Sequence, residues 1–225
     1  MHSKTTPHGY SSARPEDTIA RAIPFHAEIH DRLAHAICTN VPNACNALEL
    51  GVGTGITTER IRKSLPLAHI DAIDTSRAML AETKRKVGHT NIRYCQGNYT
   101  ALPFPDINEL VVSMIGVHHL GHKGKRALFR KVYRSLLPGG VFIFGDLVTY
   151  RDPRVAALNH ARRYHYLVGH ASDEATLIEW AHHHMFLNRL VAPVEDQIDW
   201  LTEAGFSVST EFLEMNTALL LCAKK

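Results

Sequence analysis

Apolar positions change their period repeatedly along the chain, and each change marks a new element. Ile29, Leu33 and Ile37 recur at spacing four, the stripe of a helix from about His26 to Cys38. A weaker helical pattern begins near Glu16 and is interrupted at Pro24. From Ala47 onward short apolar runs alternate with amphipathic stretches, predicting strands at 47–50, 68–73, 91–95, 109–114 and 141–146 and helices at 55–64, 76–87 and 123–136. That alternation implies a mostly parallel sheet with helices on both faces. Two helices then break it: Asp152 caps the first, Pro153 opens it, and it runs to about Val168; Ser172 starts a second, reaching about Leu190. A helix from Val194 to Ala204 stops at Gly205, and strands 206–213 and 217–223 bring the expected strands to seven. Residues 1–15 have no periodicity and read as a mobile arm.

Ala47 to Ile61 carries the chemistry. Four strand residues run into Gly51, Gly53 and Gly55, and a helix opens behind them, so a ligand can lie against bare backbone at a positive dipole end. The spacing is G-x-G-x-G; the phosphate-cradling fingerprint G-x-G-x-x-G would need glycine where Ile56 stands. Asp74 ends the next strand, placed to accept from ribose hydroxyls, which dinucleotides and S-adenosylmethionine both possess. Gly51, Asp74, Asn98, Ser113 and Asp146 all fall at strand ends and converge on the edge where such sheets bind ligands.

Four stretches in order resemble the motifs of class I S-adenosylmethionine-dependent methyltransferases of the small-molecule type: Glu49 to Gly55, Ile73 to Leu80, Gln96 to Phe104, and Leu136 to Gly140. The resemblance implies a Rossmann-like seven-stranded sheet with S-adenosylmethionine as cofactor. Gly51, Val52, Gly53 and Gly55 would receive its methionine half and Glu49 its ammonium. Asp74 would take the ribose, and Thr75 and Met79 would line the adenine. Asn98 and Tyr99 belong to the third motif; Asn98, where the family usually carries Asp, would accept the adenine amino group more weakly. A closer likeness is to the carboxy-S-adenosylmethionine synthase group, carried by Ile23-Pro24-Phe25-His26, the paired helices after the fifth strand and Leu201 to Phe206. There a cofactor-contacting tyrosine would match His26, an asparagine Met114, and the arginine that holds the extra carboxylate His182 or His183. Without that permanent cation the carboxylated cofactor is disfavoured.

After the strand that ends at Ser113 and Met114 comes His118-His119, where the Asn/Asp-Pro-Pro-Tyr run of DNA and protein-amide methyltransferases is missing. Either histidine could be a general base, or both could pack a helix start. Residues 16–38 and 153–190 read as a helical cover, with Tyr164, Tyr166 and His183 as candidate catalytic residues. Aromatic faces there would suit a sulfonium, at roughly 0.5 to 2 kcal/mol each, although core packing explains Trp180 and Phe186 equally well.

Composition narrows the field further. At 225 residues the chain suits one domain. Four cysteines without a C-x-x-C pair, and a polar start, fit a reducing cytoplasm; no apolar run approaches the roughly 18 to 20 residues of a membrane span. The formal charge of +3 is small, and the basic residues of Lys84 to Lys86 and of Lys123, Lys125, Arg126, Arg130, Lys131 and Arg134 read as solvated helix faces. Sixteen scattered histidines form no convincing metal motif. The expected activity is methyl transfer to a small oxygen, nitrogen or sulfur nucleophile. One alternative is cyclisation of S-adenosylmethionine itself to azetidine-2-carboxylate with release of methylthioadenosine, and another is a non-catalytic cofactor-binding or tRNA-associated protein. Oligomeric state stays open, a homodimer included.

Overall fold

The computed structural model describes residues 20–183 and 190–225. The expected arm at 1–15, the start of the N-terminal helical pattern, and His184 to Arg189 lie outside them.

Helix α1 (His26–Asn40) leads into strand β1 (Asn46–Leu50), followed by α2 (Ile56–Ser64), β2 (His69–Asp74), α3 (Arg77–Val87), β3 (Ile92–Gln96) and β4 (Asn108–Met114). A short 3-10 turn (Val117–His119), α4 (His122–Ser135) and β5 (Leu136–Leu147) come next. The additions α5 (Pro153–His170) and α6 (Glu174–His182) precede α7 (Val194–Glu203) and the hairpin of β6 (Ser207–Glu214) and β7 (Thr217–Ala223). The seven strands lie in the order β3-β2-β1-β4-β5-β7-β6. β1 pairs parallel with β2 and β4, while β7 runs antiparallel to both β5 and β6. The order reverses between β1 and β4, which opens a crevice beyond their carboxyl ends.

Both faces of the sheet are covered, so alternate residues of one strand serve different cores. Leu110 and Val112 face α1 and α2 with Ile29, Leu33 and Ile61. Val111 faces α4 and α7 with Phe129, Phe142, Phe144 and Leu201.

Two boundaries differ from the sequence expectation for physical reasons. β5 begins at Leu136, ahead of the expected 141, because Leu136 pairs with Asn108 before the register shifts. Pro138, which has no N–H to donate, and Gly139, at φ 78°, occupy the irregular stretch. The cap of α6 is Asp173 and not Ser172: its carboxylate accepts from Thr176 N at 2.8 Å, while the Ser172 hydroxyl donates to Asp173. Asp152 caps α5 as expected, accepting from Arg154 N at 2.7 Å and Val155 N at 3.2 Å, with Pro153 in the first turn.

Replacing Asp152 by Ala leaves those two N–H groups without a side-chain acceptor. Urea unfolding should report a loss of about 1 kcal/mol at unchanged slope. A midpoint equal to that of the wild type contradicts the cap.

Candidate active site

The site grows from the turn after β1. Gly51, Gly53 and Gly55 all have positive φ, at 83°, 55° and 86°, a conformation that side chains strain. At Gly55 a side chain also has no room, since a Cβ would fall 2.8 Å from Thr83 Cγ2. The Thr83 hydroxyl donates to Gly53 O, and Gly53 N donates to Asp74 Oδ2 at 2.9 Å. Asp74 Oδ1 accepts from Ser76 N at 2.8 Å, so β2 and the glycine turn are fixed through one buried carboxylate. Each of its oxygens keeps a second acceptor direction, which suits a ribose diol. Val52 and Met79 are buried beside it, whereas Thr75 is exposed.

Glu49 is the chemically unusual member. It lies on the last full turn of β1 pleat before the glycines, fully buried, and burial pushes its carboxyl up to about 8 against the opposing effect of the Thr58 hydroxyl. Thr58 donates to Oε2 at 2.7 Å; Oε1 is buried with no hydrogen-bond partner. A buried carboxylate with one oxygen unmet is built for a cation that arrives from outside. The ammonium of a methionine arm fits that requirement. The residues present therefore match S-adenosylmethionine at Glu49, at the bare glycine backbone and at Asp74.

On the cover side of the turn, His26 and His30 lie 4.4 Å apart between ring centroids. Burial, with His30 beside it, holds His26 at about 3, so the ring is neutral. His30 donates from Nδ1 to His26 O at 2.8 Å, which leaves Nε2 to accept from the Thr57 hydroxyl at 3.2 Å. α1 is thereby tied to the first turn of α2.

The second half of the site centres on His118. Its Nδ1 meets Asp146 Oδ1 at 2.5 Å and its backbone N donates to Asp146 Oδ2 at 2.7 Å. Leu147 N donates to the same carboxylate at 2.8 Å. Both side chains are buried. The carboxylate accepts, so the proton sits on Nδ1 and the lone pair on Nε2, the arrangement of an oriented general base. The half-buried His119 ring lies 3.9 Å from that of His118, tilted at 45° to it. Tyr99 joins the two halves. Its hydroxyl donates to Gly116 O at 3.2 Å, and burial followed by the charges of Asp146 and Asp74 pushes the phenol up. Just before the turn, Ile115 holds φ 54°, a strained value for a β-branched residue.

Several expectations are corrected. The Asn98 amide oxygen accepts from Thr100 N at 2.9 Å and Thr100 Oγ1 at 2.8 Å, so the acceptor expected to meet adenine is committed to a local turn. Ser113 is buried and donates to Leu50 O at 3.0 Å, holding β1 and β4 together where their ladder ends. Met114 packs its thioether over Gly145, where a Cβ would come within 2.5 Å of sulfur. Tyr164 is 46% exposed on α5. Tyr166 is half-buried and stacks on His170 at 3.8 Å beside Leu167 and Trp180, and the buried His183 closes α6. Lys125, read as part of a solvated basic face, is fully buried, and Lys131 donates to Tyr99 O at 2.7 Å. Sequence reasoning placed Asp146 on the right edge without pairing it to His118, and it missed Thr57, Thr58 and His30. Among the described residues no His, Cys, Asp or Glu cluster could hold a metal ion, and no helix is long and apolar enough to cross a membrane.

Known proteins share parts of this chain's sequence and its fold. Residues 47–140, from β1 into the irregular start of β5, match the profile of a methyltransferase domain. The carboxy-S-adenosyl-L-methionine synthase of Campylobacter lari is 21% identical over 143 residues, covering 63% of this chain and 61% of that protein. The malonyl-(acyl-carrier protein) O-methyltransferase of Bacillus anthracis is 25% identical over 125 residues, covering 53% of this chain and 46% of that protein. The chain thus spans about half to three-fifths of the length of these curated relatives. Human N-acetylserotonin methyltransferase, solved in complex with S-adenosylmethionine, superposes with a TM-score of 0.64 at 15% identity, over 94% of this chain and 55% of that one. An O-methyltransferase family protein from Burkholderia thailandensis superposes with a TM-score of 0.69 at 13% identity, over 95% and 60%. The fold is that of the class I methyltransferases. Over residues 47–140 the chain is similar to a methyltransferase domain.

The state of Glu49 makes ligand binding depend on pH. With its carboxyl raised from 4.5 to about 8 in the folded protein, Glu49 makes a contribution to the stability of the free protein that is full below pH 4.5 and is lost as pH rises through about 8. An ammonium ligand needs the ionised form. Titration calorimetry should therefore show S-adenosylhomocysteine binding more tightly as pH rises from 6 to 8. Glu49→Gln should weaken binding at least about tenfold at pH 8 and flatten the profile. Equal affinity in the variant would overturn the assignment.

Proposed function

We propose that this chain is a transferase that uses S-adenosylmethionine to methylate a small nucleophile, an oxygen, nitrogen or sulfur acid, beneath the helical cover. The observation that carries this reading is the His118–Asp146 dyad, built at the end of β5. Bound there, the cofactor would supply an electrophilic methyl group. Glu49 would hold its ammonium, the bare backbone of Gly51 to Gly55 would admit the chain behind it, and Asp74 would anchor the ribose. His118 Nε2 would take the proton of the acceptor, while Asp146 keeps the imidazole in that tautomer and stabilises the cation formed. Neutral His26 would exclude water from the sulfonium side without opposing its charge. The relatives named as methyltransferases support the chemistry, and the four cysteines, all free in the structure, suit a reducing cytoplasm. In the same reading the chain is one domain acting on a small molecule.

A second reading keeps the site and changes the product. Glu49, poised near 8 at the expected ammonium, could take a proton from that group and leave an amine able to close on its own arm. Incubation of the pure protein with S-adenosylmethionine alone separates the two: methylthioadenosine without added acceptor favours cyclisation, and S-adenosylhomocysteine formed only with an acceptor favours methyl transfer.

With the acceptor in hand, His118→Ala and Asp146→Asn should each lower kcat by about 10² to 10⁴ while leaving the affinity for S-adenosylhomocysteine within about twofold. Wild-type turnover by either variant removes the dyad from the mechanism.

A further inference from the structure

Lys125 stands in the first turn of α4, on the face that carries Leu128, Phe129 and Val132 into the core. Its side chain is fully buried, an expensive place for an ammonium. All three of its protons have acceptors: His118 O at 3.3 Å, Leu120 O, and Leu190 O at 2.7 Å. Two of these carbonyls belong to the turn that presents the His118 ring. The third belongs to the chain returning from the cover, just before Ala192 O accepts from Thr149 N at 3.1 Å and pins that return to the segment after β5. Burial pulls the ammonium down to about 8, and the charge of Asp146 works in the other direction, so the lysine also offsets the carboxylate that orients the base. An apolar residue would fill this space at lower cost in desolvation; it could not join three backbone segments at one point.

We infer that Lys125 is a positioning residue for the dyad: its ammonium clamps the His118 turn to the returning cover segment at Leu190, so the base is set in place by the seating of the cover. The catalytic part of this inference rests on His118 being the base; the clamp itself does not. Loss of the clamp frees two regions distant in sequence and leaves the sheet, the glycine turn and Asp74 untouched.

Hydrogen exchange of the full chain, read on peptides covering 117–121 and 190–194, tests the clamp directly. In the wild type both peptides should open with the same protection factor. Lys125→Met should speed exchange in both by about tenfold or more while β1 and β4 stay protected, and Lys125→Arg should restore most of the protection. In turnover, Lys125→Met should lower kcat by about tenfold or more with KM for S-adenosylmethionine within about twofold, and Lys125→Arg should recover activity. Acceleration of one peptide only, or unequal protection of the two in the wild type, overturns the clamp, and the wild-type comparison holds even if Lys125→Met does not fold. Intact kcat in a Lys125→Met protein whose two peptides have both opened overturns the positioning role. If His118→Ala is fully active while the exchange results hold, the base assignment fails and the clamp stands.

Discussion

A carboxylate removed from water must be met by donors or by positive charge, and this molecule buries three of them at the carboxyl ends of its parallel strands. Asp74 is met by Gly53 N and Ser76 N, and Asp146 by His118 Nδ1, His118 N and Leu147 N. Glu49 is met by the Thr58 hydroxyl alone, and one of its oxygens has no partner. The two completed carboxylates shape loops: Asp74 sets the glycine turn, and Asp146 sets the imidazole. The incomplete one is left with one buried oxygen unmet. The difference in donor count thus sets Glu49 apart from the two carboxylates that hold loops in place.

The sheet makes this arrangement possible. With β1 at the reversal of strand order, its carboxyl end opens toward both β2 and β4, and the turn that follows can reach Asp74 on one side and the Tyr99–Gly116 contact on the other. Positive-φ backbone collects at the same edge, unstrained at the glycines and strained at Ile115. On one side α1 is tied to Thr57 through His30, and on the other the returning chain at Leu190 accepts from Lys125.

Much of the framework was legible in the chain because it is written locally. Alternating apolar runs announced the strands, three glycines announced the turn, and Asp152-Pro153 announced α5. What escaped was relational. Lys125 looked like surface charge because its partners are backbone carbonyls of other segments; only its spacing from Leu128, Phe129 and Val132 placed it on the inner face. Asn98 and Ser113 stood at the right strand ends, yet their polar atoms are consumed by Thr100 and Leu50, which no spacing rule reveals. Tyr164 and Tyr166 were grouped by proximity along the chain, while helix rotation turns one outward and the other into a small cluster with Leu167 and Trp180. The dyad was half visible, its histidine from the motif and its aspartate from the strand end, with the pairing left to three dimensions.

The incomplete carboxylate can be watched without an assay of turnover. In protein labelled with carbon-13 at the glutamate side chains, the Glu49 carboxyl resonance, assigned by comparison with Glu49→Gln, reports its ionisation directly. At pH 7 the account predicts a protonated signal in the free protein, in keeping with a carboxyl raised to about 8, and an ionised one once S-adenosylhomocysteine is bound. A Glu49 signal unchanged by saturating ligand would contradict it.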